Sequence, residues 1–232
     1  MIANPLLKDT VKPLLIATGN PGKFSEIREA LQGVPYELRS LSDLPRYGFG
    51  EGAAQVEETG STHEENALLK ARHFFGKTGW MTLGEDSGLE VDALQGELGL
   101  NTRRWGATAI AGQAGSDASD EEWLDYFLKR MAEFPEAQRM ARFVCVAALV
   151  VPEQYVFYGE ARGVIVLKPE APILPGLPLS SVFKPEGFDR VYAALTPHEK
   201  SQISHRGLAV GKVREFLHPS TSSGQVQDDT LS

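Results

Sequence analysis

Three segments of this chain carry residue types and spacings suited to phosphate chemistry. The first is Thr18-Gly19-Asn20-Pro21-Gly22-Lys23. Its glycines let backbone N–H groups turn inward, and a helix starting behind it would add partial positive charge. Thr18 and Asn20 offer further hydrogen bonds, and Lys23 supplies a full cation. The segment is not a Walker A loop, which has four residues between its glycines and a Ser or Thr after the lysine. Here two residues separate Gly19 from Gly22, and Phe24 follows Lys23. A phosphate cradle and a plain capped turn with an exposed lysine are both open readings of these residues.

The other two segments are acidic: Glu64-Glu65-Asn66-Ala67, and Glu85-Asp86-Ser87-Gly88. Magnesium prefers carboxylate oxygens, keeps several waters and shares its shell with substrate phosphates. A carboxylate beside bound water can then promote attack on phosphorus while cations offset the phosphate charge. Glu85 and Asp86 are adjacent, so a regular strand would send them to opposite faces and give them different tasks. Glu65 also lies three residues after Thr62, where it could simply complete a capping box. Glu64 has Leu68 rather than a cation one turn on, so no helical ion pair accounts for it.

These residues need elements to hold them. Leu14 to Ala17 is a short apolar run of the kind buried on both faces of a sheet. Phe24, Ile27 and Leu31 then mark one face of a helix. A second helix is expected from Thr62 to Phe75 with Ala67, Leu68, Ala71 and Phe75 inward. Met81 to Asp86 reads as a strand entering a turn at Ser87-Gly88. Ser119 and Glu122 cap a third helix with Leu124, Phe127, Leu128 and Met131 inward. Phe143–Val151 and Tyr155–Leu167 read as a hairpin about Pro152–Gln154. A last helix follows Ser204, with Leu208, Val210, Val213 and Leu217 as its apolar positions. Alternating strands and helices with a hairpin predict an α/β protein with a central mixed sheet.

Bulk properties narrow the classes. The 232 residues suffice for one large domain, expected over 12–218, with loose tails at 1–11 and 219–232. A net charge of -8 argues against a nucleic-acid-binding surface. No run reaches the ~20 apolar residues of a membrane helix. The opening MIANPLLKDT does not read as a secretion signal. The single cysteine, Cys145, cannot form an internal disulfide and lies in an apolar run, so it reads as buried and structural. A reducing cytoplasm is the expected compartment.

Taken in order, the segments resemble the inosine/xanthosine triphosphate pyrophosphatase family, which clears non-standard purine nucleotides. The matching pieces are Thr18 to Lys23, Glu58-Thr59-Gly60, Glu65-Asn66-Ala67-Leu68-Leu69-Lys70-Ala71, Glu85 through Leu94, Arg142 to Val146, and Ser204-His205-Arg206-Gly207. They span about residues 12–218. The resemblance implies an elongated two-lobed α/β fold with a cleft, a homodimer, and hydrolysis of a nucleoside triphosphate to monophosphate and pyrophosphate. It implies Asp86 as general base and metal ligand, with Glu65 as a second ligand and Glu85 assisting. The metal would be magnesium, with manganese as the alternative. Thr18 to Lys23 and Ser87 would hold phosphates. Lys200, His205 and Arg206 would line the nucleotide end, with Arg206 facing a 6-keto oxygen. An arginine donor suits a keto oxygen and opposes adenine's amino group.

The chain departs from that family's pattern in one loop. Where the family carries Gly-Phe-Gly-Tyr/Trp-Asp-Pro, this sequence reads Gly176-Leu177-Pro178-Leu179-Ser180-Ser181. Leu177 and Leu179 replace aromatic positions that contact the base, and Ser180 replaces the aspartate that helps select it. Stacking on an aromatic side chain is worth about 1–3 kcal/mol per base in comparable sites. The phosphate and metal machinery thus reads as intact and the base reader as altered. Trp105 reads mainly as core packing, with a substitute base platform as the other possibility. Two alternatives therefore stay open: the same chemistry on a pyrimidine or modified nucleotide, and a nucleotide-binding protein with weak turnover.

Overall fold

The computed structural model describes residues 11–49, 56–106 and 118–218. The loose ends expected at 1–11 and 219–232 lie outside these residues, apart from exposed Val11.

Strand β1 (Pro13–Ala17) forms where the sequence is continuously apolar, and Leu14, Leu15 and Ile16 are fully buried. Each such side chain contributes about 1.5–3 kcal/mol of burial free energy. The chain then turns into α1 (Pro21–Ala30), with Asn20 as its N-cap and Pro21 in the first turn. Next come β2 (Glu37–Ser40), α2 (His63–Thr78), β3 (Met81–Val91) and α3 (Asp120–Met131). The rest is β4 (Met140–Val150), β5 (Gln154–Ile165), β6 (Phe183–Pro185), α4 (Pro197–Ile203) and α5 (His205–Leu217). Among the described residues the strands make one sheet in the order β2-β1-β3-β4-β5-β6. β1 runs parallel to β2 and β3, and the remaining pairs are antiparallel. This is the expected α/β fold with a mixed sheet.

Side-chain alternation along the strands assigns the layers. Leu83, Cys145, Ala147 and Leu149 meet Ile27 of α1 and Ala209, Val210 and Val213 of α5 on one face. Val146, Ala148 and Val150 meet Ala67 and Ala71 of α2 on the other. Farther along the same strands, Leu89, Val91 and Phe143 join a separate core with Trp123 and Phe127 of α3. β3 and β4 thus cross both lobes, and Gly84 to Ser87 sit where one core gives way to the other. Among the described residues, no helix is long and apolar enough to cross a membrane.

Four local expectations change. β3 does not turn at Ser87-Gly88: it pairs with β4 without a break from Thr82 to Val91, because ladder hydrogen bonds and the inward Leu89 and Val91 reward continuation. In α2 the buried face is Asn66, Ala67, Lys70, Ala71 and Phe74, while Leu68 and Phe75 are only partly covered. The helix is rotated so that two polar groups enter the interior. In α5, Leu208 is exposed, since α5 lays Ala209, Val210 and Val213 on the sheet instead. The Thr62–Glu65 capping box is half made: Thr62 Oγ accepts from Glu65 N at 3.1 Å, but the Glu65 carboxylate turns to Ser61. The α3 box between Ser119 and Glu122 has both arms.

Close approach of α2 to β3 depends on Gly84, where a Cβ would overlap the Ala67 carbonyl oxygen. Gly84→Ala should therefore cost about 1–3 kcal/mol, as overpacking does. Gly76→Ala, on the exposed side of α2 with open space around it, should stabilise by about 0.5–1 kcal/mol through helix propensity. Urea midpoints at unchanged m-value measure both, and shifts of the same sign would contradict this packing.

Candidate active site

A cavity of about 790 Å³ lies between the lobes. The phosphate-loop residues Thr18, Gly19, Asn20 and Lys23 line one side, and Asp86 and Ser87 of β3 line its floor. Lys200, His205 and Arg206 close the far end beside Leu177, Pro178, Leu179 and Ser180. Pro21 and Gly22 face a neighbouring hollow instead. The two loops are clamped together. Asn20 Nδ2 donates to Gly176 O at 2.9 Å, and a Cβ on Gly22 would come within 2.7 Å of Leu177 Cγ. Gly176 N also donates to Asp120 at 2.6 Å, which anchors the loop to the start of α3.

Glu85 and Asp86 leave β3 on opposite faces, as their adjacency requires. Glu85 points toward α5, where Arg206 donates to its Oε1 through Nε at 3.2 Å and Nη2 at 3.1 Å. Its other oxygen lies 3.0 Å from Lys23 Nζ. Burial alone would raise the Glu85 pKa, but Arg206 first, then Lys23 and Lys70, hold it well below the usual carboxylate range. Arg206 also pairs with Glu26 of α1 and donates to Ser87 Oγ at 2.9 Å. A guanidinium has five N–H donors, and most of these are spent on protein groups. Arg206 is therefore first a strut that joins α1, β3 and α5 at the far end of the cavity.

Asp86 points toward α2 and lies at the cavity surface. His63 Nδ1 is 2.7 Å from its Oδ2, and Lys70 Nζ is 3.3 Å from its Oδ1. Lys70 Nζ also donates to Glu58 Oε1 at 2.7 Å. Asn66 holds this edge in place by accepting from Gly60 N at 2.8 Å, which brings Glu58 over the cavity. Glu65 is not brought there: its carboxylate accepts from Ser61 Oγ at 2.7 Å and is exposed. Glu64 faces the Tyr158 hydroxyl on β5.

At the far end of the cavity, Lys200 Nζ donates to Ser180 Oγ at 3.0 Å and pairs with Glu26. Burial lowers the Lys200 pKa, and Glu26 opposes that shift. His205 stacks on Phe143, with centroids 4.5 Å apart and planes 10° from parallel. Burial, then the nearby Arg206 charge, pushes its pKa well below 6.5, so the ring is neutral. Its Nδ1 has no partner among the described residues. Phe143, Tyr192 and Trp123 also line the cavity. These rings are buried and stacked on their neighbours, so they wall this end of the cavity. Trp105 is not among them: it packs on Tyr126 and Phe127 and donates to Glu97 at 3.1 Å, which is core packing.

The order and placement of these segments match those of known proteins. The family model described as the Ham1 family matches residues 14–216. This chain belongs to the Ham1 family. A protein of Oceanobacillus iheyensis named dITP/XTP pyrophosphatase is 35% identical over 210 residues, covering 90% of this chain and 99% of that protein. One of the same name from Corynebacterium efficiens is 39% identical over 206 residues, covering 85% and 93%. The solved structure of a HAM1 protein from Coxiella burnetii superposes with a TM-score of 0.70 at 30% identity, over 89% of this chain and 98% of that one.

Within this Ham1 chain, sequence reading singled out the phosphate loop, Glu85, Asp86, Ser87, Lys200, His205 and Arg206, and the fold brings them together. It assigned no role to Glu26, Glu58, His63 or Lys70. Lys70 lies off the apolar face that Ala67, Leu68, Ala71 and Phe75 mark in the sequence, so its burial follows from the rotation of α2. Glu58 lies in a loop, and only the tertiary fold places it.

The buried charges set the acid response. Glu26 and Glu85 have folded pKa values below 4.5. Their stabilisation is complete above about that pH and is lost as pH falls through the folded values. His205 acts earlier, because the unfolded chain takes up its proton below 6.5 while the folded ring stays neutral. His205→Phe keeps the stack and removes the titration. Its unfolding free energy should fall less steeply between pH 6.5 and 5, by about 1.4 kcal/mol per pH unit. Parallel urea-derived stability curves for the two proteins would refute a buried neutral His205.

Proposed function

We propose that this protein hydrolyses nucleoside triphosphates carrying non-standard purine bases, such as dITP, ITP or XTP, to the monophosphate and pyrophosphate. The observation that carries this reading is the convergence of the Lys23 loop, Asp86 and the Lys200–His205–Arg206 end on one cavity. The curated relatives named dITP/XTP pyrophosphatase support it, as they share about a third of their residues over nearly the whole chain.

The charges of the site bear on its cofactor. Lys23, Lys70, Lys200 and Arg206 are each already matched by a carboxylate. An incoming polyphosphate would therefore need additional positive charge. Asp86 and Glu58 share Lys70 Nζ and fit a divalent cation as two carboxylate ligands, with phosphate and water completing the shell. Magnesium takes most of its shell from substrate phosphate and water, so two carboxylates suffice in this reading, with manganese as the alternative. Bound there, the metal would neutralise phosphate charge. The Ham1 resemblance implies Glu65 as second ligand; the geometry favours Glu58.

The chain's own groups then have distinct tasks. Thr18, Gly19, Asn20 and Lys23 hold the phosphates against the start of α1. Asp86 accepts a proton from water as its oxygen bonds to the α-phosphorus and the α–β bridging bond breaks. Glu85 does not face the substrate; it keeps Lys23 and Arg206 in position. Ser180 and Lys200 meet the base edge, with His205, Phe143 and Tyr192 beside it. A homodimer belongs to this reading, supported by large apolar side chains exposed on β5 and α5, among them Tyr158, Leu208 and Phe216. A cytoplasmic site of action also belongs to it, supported by the lone buried cysteine. The net charge of -8 supports a small-molecule substrate rather than nucleic acid or an anionic membrane surface.

Asp86→Asn should lower kcat on dITP by about 10²–10⁴-fold, the usual range for loss of a general base, with near-wild-type thermal stability. Pyrophosphate and phosphate measured separately across ITP, XTP, dITP, ATP and UTP decide the reaction. Phosphate alone as product, or a full-rate Asp86→Asn, would refute this reading. Glu58→Gln should raise the magnesium needed for half-maximal rate by about 10–100-fold, while Glu65→Gln should leave it unchanged; the reverse would restore Glu65 as the ligand.

A further inference from the structure

We infer that His63 is a positioning residue for Asp86. The inference rests on the proposed role of Asp86 as base, and the geometry behind it is independent of that role. His63 is the first residue of α2, directly after the N-cap Thr62. Its Nδ1 lies 2.7 Å from Asp86 Oδ2, across the gap between α2 and β3. The ring is largely buried, with its side chain 14% exposed. It does not line the cavity, whereas Asp86 does. It stands behind the carboxylate, away from the space a substrate would fill.

The sequence makes room for it. Gly88, two residues after Asp86 on the same face of β3, would place a Cβ 2.3 Å from Gly99 O and 2.9 Å from His63 Cε1. Any side chain there would crowd the imidazole. The glycine thus admits both the Gly99 backbone and the His63 ring against this face of β3. On the opposite side, Lys70 addresses Oδ1. The two carboxylate oxygens are therefore fixed separately: Oδ2 by His63 from the first turn of α2, Oδ1 by Lys70 two turns later. A carboxylate anchored at both oxygens cannot rotate about its terminal torsion, which is otherwise broad. One lone pair on each oxygen remains for the attacking water or a cation.

An ionised Asp86 only accepts hydrogen bonds, so the short contact requires the proton on His63 Nδ1. His63 thus donates to the carboxylate and takes no proton from substrate water. Its removal should loosen Asp86 without removing the base, and the loss should fall on kcat rather than on KM.

Two measurements test this. The first needs no substrate or metal: two-dimensional long-range ¹H–¹⁵N NMR of the full chain at pH 8 should show the His63 ring with a protonated Nδ1. In Asp86→Ala that preference should disappear. A ring protonated only on Nε2 in the wild-type protein overturns the inference. The second is kinetic. His63→Phe keeps an aromatic ring of similar reach without the donor, and should lower kcat on dITP by about 10–100-fold, the usual cost of losing such an outer partner. KM and melting temperature should stay near wild type. His63→Asn places an amide N–H near the position of Nδ1 and should recover most of the rate. If His63→Phe retains full kcat while Asp86→Asn is inactive, the positioning role fails and the hydrolase reading stands. If the wild-type protein releases no pyrophosphate, the hydrolase reading fails, and the NMR result alone decides whether His63 fixes Asp86. Should His63→Phe melt much lower than wild type, failure of His63→Asn to restore kcat despite restored stability overturns the inference.

Discussion

Two carboxylates that are neighbours in the chain leave β3 on opposite faces, and each is held by cations from a different helix. Glu85 meets Arg206 of α5 and Lys23 of the phosphate loop, while Asp86 meets Lys70 of α2. This alternation is a property of any strand. Its consequence here is that one dipeptide ties together the layers on both sides of the sheet. Taking such charges out of water costs several kcal/mol per ion, and only close, hydrogen-bonded partners offset that. The pairs are therefore weak as sources of net stability and strong as constraints: any arrangement that separates them leaves a charge buried alone.

That constraint explains the division of labour. Glu85 is almost wholly out of contact with the cavity and is committed to Arg206 and Lys23, which it fixes in place. Asp86 reaches the cavity with lone pairs to spare. Glu26 repeats the Glu85 pattern on α1 by joining Lys200 and Arg206. The result is a cavity whose cations arrive pre-paired, which suits a substrate that brings negative charge together with a metal.

The far end of the cavity is walled by elements distant in sequence. The loop at 176–181 carries leucines and serine, yet Phe143 and Tyr192 reach the same cavity from elsewhere. Clamping of that loop by Asn20, Gly22 and Asp120 links the Ser180 end of the cavity to the Lys23 loop. A change in either loop is thereby felt by the other.

Most of the element order was legible in the sequence, because apolar periodicity and capping residues are local signals. β1, α1, α3 and the β4–β5 hairpin follow from runs, spacings and caps within a few residues of each other. The sequence by itself also implied that Glu85 and Asp86 part company, provided the strand runs through Gly84 without turning, as it does. Only the tertiary structure decided which partners they meet. Glu58, His63 and Lys70 converge on Asp86 across as many as 28 positions, from 58 to 86, and Glu26 meets Arg206 across 180. The rotation of α2, the continuation of β3 past Ser87 and the turning of Glu65 toward Ser61 were decided in the same way. Each depends on how one layer packs on another, and a charge's partner in a folded protein is set by that packing rather than by its neighbours along the chain.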